Sequence, residues 1–273
     1  MLVVGYIDES YSGENPPLTF GLNCVVAAGS EWFWIESAWN RVLERKNKEL
    51  EAQGRQRISR YHSTDLSNFA GDFKDWDGPE RTDFTDRLLQ HAIRGNWMLS
   101  VGFTANLKEI GEVWPRVMRE GVMQFGYHAM LRYIMLKLVQ YVPPAYGEGS
   151  EIILIHDRCA YDGILLSAFN YFLKERPDCA PLFRSIAPMG WEKCIPLQPA
   201  DFVAYEVMKE THRLRPGLKY RDRRLSLKAF LDIDTVGADC MEIPTEKVLE
   251  WKEQVEAKDR ARGKAYLNDP SGV

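Results

Sequence analysis

The chain has 273 residues, 45% of them hydrophobic, 12% aromatic and 27% charged, with a net charge of −4. That length suits one large domain or one domain with an appendage, and eight Trp with twelve each of Tyr and Phe exclude a disordered chain. The negative balance excludes overall basicity as a sign of nucleic-acid binding, and five scattered cysteines with no C-x-x-C pair exclude a zinc framework.

Cys24, Cys159, Cys179, Cys194 and Cys240 suit a reducing compartment. No basic leader precedes the first apolar run, which Asp8 interrupts. The longest uncharged stretch, Asn15 to Ser30, holds 16 residues with Pro and Gly inside, too short to span a bilayer. A cytoplasmic protein with no membrane partner is expected.

In chain order, "VVGYIDESYSG" (3–13) opens with a strand apolar on both faces, which marks a central position in a sheet. The strand is expected to end at Asp8 and Glu9. A loop would account for those residues, since Asp-Glu-Ser is good turn chemistry. "LTFGLNCVVAA" alternates as a second strand, antiparallel to the first. Residues 32–52 carry Ile35, Ala38, Trp39, Val42, Leu43 and Leu50 at helical spacing and stop at Gly54. "YHSTDLSNFAGDFKDWDGPE" reads as a long polar loop. A helix over 79–94, a strand "WMLSVGFTA" and a long helix from Pro115 to Tyr141 follow.

"EIILIHD" (151–157) is another apolar run closed by a carboxylate. Ile164 to Leu173 mark an amphipathic helix, "FRSIAPMGW" an edge strand and "QPADFVAYEVMKETHRL" a further helix. Beyond residue 230 the pattern weakens to a peripheral helix, "TEKVLEWKEQVEAKDRA". The order predicts an α/β fold with a mixed central sheet flanked by helices. The main domain is expected over 1–230, with helical insertions, and a C-terminal extension over 231–273.

Three acids stand where regular elements point inward. Asp8 and Asp157 each close a buried strand, and parallel pairing of those strands would set both at one sheet edge. Asp201 falls in the first turn of its helix, on the stripe of Ala204, Tyr205 and Met208. A capping role is the alternative for it. Crowded carboxylates repel unless one is protonated or a cation holds them. Oxygen donors suit Mg²⁺ or Mn²⁺, and two such ions can drive phosphodiester hydrolysis.

Two segments are basic: 41–60 carry seven Lys/Arg against three acids, and 209–228 carry eight against Glu210 and Asp222. Lys219, Arg221, Arg223 and Arg224 are candidate phosphate contacts; a solvated charged face is the alternative.

"YIDES", an Asp closing a middle strand, and "LQPADFVAYE" together resemble the boxes of a bacterial and phage family of unknown function. That family has an N-terminal DESG-like box and a C-terminal Q-x-A-D-x-x-A box, and is placed in the ribonuclease H-like superfamily. "YHSTDL" resembles its middle His-x-x-Asp segment. The resemblance spans residues 3 to 210 in the family's order, although "DESYSG" displaces the Gly of the first box. It implies a ribonuclease H-like fold and a two-metal nuclease, with Asp8, Asp157 and Asp201 as catalytic metal ligands. Glu9, Asp65 and Asp162 remain as candidates for a fourth acid, and His62 for shaping the site or binding phosphate.

Two other functions stay open. A ribonuclease H-like scaffold can serve as a non-catalytic nucleic-acid-binding or regulatory module. His62, with His156–Asp157 and Asp201, also suggests a metal-dependent phosphohydrolase, although such ligand sets belong on helices.

Overall fold

β1 (Leu2–Tyr11) and β2 (Thr19–Ala28) form the expected antiparallel pair, and β2 is buried along its whole length. The computed structural model describes residues 1–12, 19–94, 96, 98–116, 121–214, 222, 224–234 and 236–261. α1 (Gly29–Ala52) follows directly, burying Trp32, Ile35, Trp39, Val42, Leu43 and Leu50 at helical spacing. The polar stretch after it holds a short helix, α2 (Ser63–Asn68), before α3 (Gly78–Leu88). α3 starts where Asp77 accepts the Glu80 N–H, an N-cap of the usual kind. β3 (Met98–Asn106) then pairs antiparallel with β2.

The expected helix from Pro115 to Tyr141 differs from what is seen. α4 (Leu107–Val113) starts earlier, capped by Asn106, whose side chain accepts the Glu109 N–H. α5 (Val122–Tyr146) begins after Gly121, at φ 117°, and continues through Pro143 and Pro144. These prolines lie in its last turn, where each forgoes a bond to the carbonyl four residues back, and the helix ends at once after them.

β4 (Glu151–Asp157) covers the predicted strand, and α6 (Asp162–Glu175) the predicted helix. β5 (Phe183–Met189) is the edge strand, and α7 (Leu197–Arg213) follows it. α7 starts one turn ahead of Asp201, which therefore sits in the second turn. α8 (Leu225–Leu231), β6 (Val236–Glu242) and α9 (Thr245–Ala261) complete the chain.

The six strands run β5-β4-β1-β2-β3-β6. β1 pairs antiparallel with β2 and parallel with β4, and β4 pairs parallel with β5. This is a mixed α/β sheet, consistent with a ribonuclease H-like arrangement. α5 and α6 cover one face, where Ile7, Leu22, Leu154, Ile134 and Phe169 share a core. α1, α3 and α7 cover the other, around Tyr6, Val25, Trp39, Phe84 and Val203. Close packing leaves no room at Gly5: an added Cβ would lie 2.8 Å from Cys24 Sγ and 2.9 Å from Leu154 Cδ2.

β6 was not expected. It pairs parallel with β3, so the extension 231–273 supplies an edge of the central sheet. Its residues are mostly half-buried or exposed, which removes the apolar alternation that identifies a strand. α9 is less peripheral than its composition suggests, with Val248 fully buried and Trp251 packed on the core. Among the described residues, no helix is long and apolar enough to cross a membrane.

Candidate metal centre

β1 does not end at its acids. It pairs with β2 through Asp8–Asn23, Glu9–Leu22 and on to Tyr11–Phe20, whereas its pairing with β4 stops at Ile7–His156. β4 itself ends at Asp157. Beyond that point one side of β1 has no strand beside it, and a cleft of about 340 Å³ opens there. The turn expectation for Asp8 and Glu9 is therefore corrected: both are strand residues, held in register by β2.

Strand alternation then separates them. Asp8 shares the face of Tyr6, under α1 and α7, while Glu9 shares the face of Ile7, under α5. Asp157 lies on the Ile155 face, the same side as Asp8. α7 packs across this face and brings in Asp201. Asp8, Asp157 and Asp201 all line the one cleft, together with Glu9, Ser10, Tyr11, Arg60, Tyr61, His62, Thr64 and Trp191.

Local bonds aim two of the acids. Asp201 Oδ2 accepts the Ser63 N–H at 2.7 Å. Gln198, one turn earlier and only 3% exposed, holds the same loop: its Oε1 accepts Trp39 Nε1–H at 3.0 Å and the Tyr61 N–H at 2.9 Å. The Gln and the Asp of "LQPAD" thus fasten residues 61–63 onto α7. Asp157 Oδ1 accepts the Arg158 N–H at 2.8 Å, and Trp191 lines the cleft beside it.

The electrostatics follow from burial. Asp8 is held well above the usual carboxylate range, by desolvation first and then by Asp201, Glu9 and Asp157. Asp201 is raised by desolvation, against the Ser63 N–H, His62 and Arg60. Asp157 is raised in the same way, against the Arg158 N–H and Arg60. Glu9 is pushed up to about 7, mainly by burial, although a hydrogen bond from Tyr127 opposes the shift.

The other expected residues are placed as follows. His62 lines the cleft, with Nδ1 2.8 Å from Asp65 Oδ2, close enough for an ion pair but off the line for a hydrogen bond. Asp65 does not line the cleft. Asp162 lies at the start of α6, where Oδ1 accepts the Cys159 N–H at 2.9 Å. His156, Cys159 and Asp162 bring ligand-type atoms within 4.8 Å of one another. Each has a local partner, however. His156 Nδ1–H donates to the Asp157 carbonyl, and Cys159 Sγ accepts the Tyr161 N–H. This group closes the β4–α6 turn. His156 also shares the Leu154 face, away from Asp157 and Asp201, which breaks up the phosphohydrolase-type ligand set.

Arg224 is engaged elsewhere. Its Nε donates to Glu206 at 2.9 Å, and Glu206 is only 2% exposed and accepts Ser226 Oγ–H as well. Both line a neighbouring cavity that shares Tyr61 with the acidic cleft. Lys219, Arg221 and Arg223 lie outside the described residues.

No family model, curated protein or solved structure matches the chain. What the cleft can bind is then a matter of its donors. Three carboxylates from three separate elements line it, oxygen donors throughout, but among the described residues only His156, Cys159 and Asp162 bring their ligand atoms within 4.8 Å of one another. Ser63, Gln198, Arg60 and Trp191 were not singled out in the sequence. Gln198 had a signal, as the first polar residue of the box containing Asp201.

Proposed function

We propose that the protein is a divalent-metal-dependent nuclease, with Asp8, Asp157 and Asp201 as ligands to Mg²⁺ or Mn²⁺. The observation that carries this reading is the convergence of these acids in one cleft, each with its pKa raised by burial. Neither a turn nor a helix cap accounts for them. Asp8 is inside a strand, Asp201 is in the second turn of α7, and their mutual repulsion opposes folding until a cation offsets it.

When bound, two such ions lower the pKa of a water and take up charge on the leaving oxygen of a phosphodiester. The chain's own groups orient and balance the site. Ser63 and Arg158 N–H groups direct the carboxylates, and Arg60 moderates the negative charge of Asp157 and Asp201. Glu9, on the opposite face but lining the cleft, is the fourth acid in reach. The resemblance of "YIDES" and "LQPADFVAYE" to the ribonuclease H-like family supports the same reading, with DNA or RNA as the substrate.

The test is a cleavage assay on labelled single- and double-stranded DNA and RNA, in Mg²⁺, Mn²⁺ or EDTA. Cleavage should need the metal. In D8N and D201N it should fall by more than the roughly 10–100-fold that loss of an outer-shell partner costs. Binding without cleavage in any metal would favour a non-catalytic nucleic-acid module instead.

A further inference from the structure

We propose that Arg60, stacked on Trp191, is the residue that takes the substrate phosphate in this cleft; the assignment rests on the nuclease reading above. Arg60 is the only Lys or Arg among the described residues lining the acidic cleft. Its guanidinium carbon lies 4.2 Å from the centroid of the Trp191 ring. Other arginines beside carboxylates pair with them: Arg55 with Glu80, Arg87 with Glu49, Arg224 with Glu206. Arg60 behaves differently. It is near enough to Asp157 and Asp201 to draw their pKa values down. Yet it forms no hydrogen bond or ion pair with any described residue.

Stacking explains how a guanidinium can sit beside acids without collapsing onto them. A cation over an indole face is held electrostatically, which leaves its N–H groups available to other partners. Trp191 stands in the short turn just past the end of β5 and lines the cleft beside Asp157. That turn therefore holds an arginine next to the acids through its ring. The planar fork of N–H donors matches the oxygens of a phosphate and is weakly hydrated. With a divalent cation on the acids, the pull of Asp157 and Asp201 on Arg60 weakens, and an incoming anion becomes its natural partner. The rival role is an internal countercharge, which involves no substrate.

The experiment measures two bindings separately on wild type, R60A, R60K and W191A. Mn²⁺ is titrated calorimetrically, and a labelled single-stranded oligodeoxynucleotide, then its RNA counterpart, is titrated by anisotropy in Ca²⁺. R60A should bind Mn²⁺ as tightly as wild type or more so, since a competing positive charge is gone. That result also reports a folded site. It should bind the oligonucleotide roughly tenfold or more weakly. R60K should recover only part of the loss, because an ammonium neither stacks flat nor presents a fork. W191A should also weaken oligonucleotide binding. If R60A binds the oligonucleotide as wild type does, whatever its Mn²⁺ affinity, Arg60 takes no substrate phosphate and the assignment is overturned alone. If wild type binds no Mn²⁺, the metal reading fails and this assignment falls with it.

Discussion

Asp8 and Asp157 stand on adjacent parallel strands, one step past the last paired residues, Ile7 and His156, and both face the helix that carries Asp201. β4 ends at this point while β1 runs on beside β2, so the two acids border a gap rather than a continued ladder. The cleft is a consequence of unequal strand lengths.

Burial and the neighbouring carboxylates raise the pKa of Asp8, so charge removal beside it should stabilise the metal-free protein. D157N keeps an oxygen to accept the Arg158 N–H but relieves the repulsion on Asp8. In chelator at pH 8 its melting temperature should exceed that of wild type, by roughly 2–4 °C for each kcal/mol relieved. Mn²⁺ should raise the wild-type value and leave the mutant's nearly unchanged. A mutant melting lower than wild type in chelator would return Asp157 to a purely structural role.

The pH dependence has a definite sign. Glu9 and the three aspartates have folded pKa values above their unfolded ones, so protonation favours the folded state. For Glu9 this contribution is fully present below about 4.5 and is lost as pH rises through about 7. The metal-free protein should therefore lose stability between those values, and E9Q should flatten the loss. Mn²⁺ binding should run the other way, tightening as pH rises and releasing protons. Calorimetry in two buffers of different ionisation enthalpy checks this, and an unchanged proton count in E9Q would remove Glu9 from the linkage.

Gln198 is predicted to matter for the site without touching it. Q198A strands two buried donors, Trp39 Nε1–H and the Tyr61 N–H, at a cost of about 2–4 kcal/mol. Freeing residues 61–63 also loosens the Ser63 bond to Asp201, so Mn²⁺ affinity should fall in parallel. Urea denaturation and a Mn²⁺ titration on the same preparation test both effects. Loss of stability with unchanged affinity would sever the proposed link.

Arg224 illustrates what a charge run conceals. In sequence it belongs to a basic stretch suited to phosphates, but in the structure it partners the buried Glu206. R224A should cost about 2–3 kcal/mol, under the 3–5 typical of fully buried pairs because the Arg side chain is 37% exposed. R224A combined with E206L should recover much of that loss. A neutral R224A would indicate that Glu206 has another partner in solution.

Much of the frame was legible because burial on both faces leaves a clear mark. β1 and β4 are rich in Val, Ile and Leu, β2 alternates around Phe20, Leu22, Cys24 and Val26, and each is found within a few residues of its expected place. Asp8, Asp157 and Asp201 stood out because they interrupt apolar surroundings. β6 was missed for the opposite reason, since an exposed edge strand carries no such contrast. The separation of Asp8 from Glu9 needed the knowledge that the strand continues, which only pairing with β2 supplies. Arg60 meeting Trp191, and Gln198 meeting Tyr61, join segments far apart in the chain, and single-residue chemistry does not announce such contacts.

The most direct measurement is anomalous diffraction from crystals soaked in Mn²⁺. Manganese peaks are expected in the cleft, within coordination distance of Asp8, Asp157 and Asp201, with two peaks about 3.5–4 Å apart when a substrate strand is present. A cleft without manganese, under conditions in which the crystals take up the ion elsewhere, would contradict it.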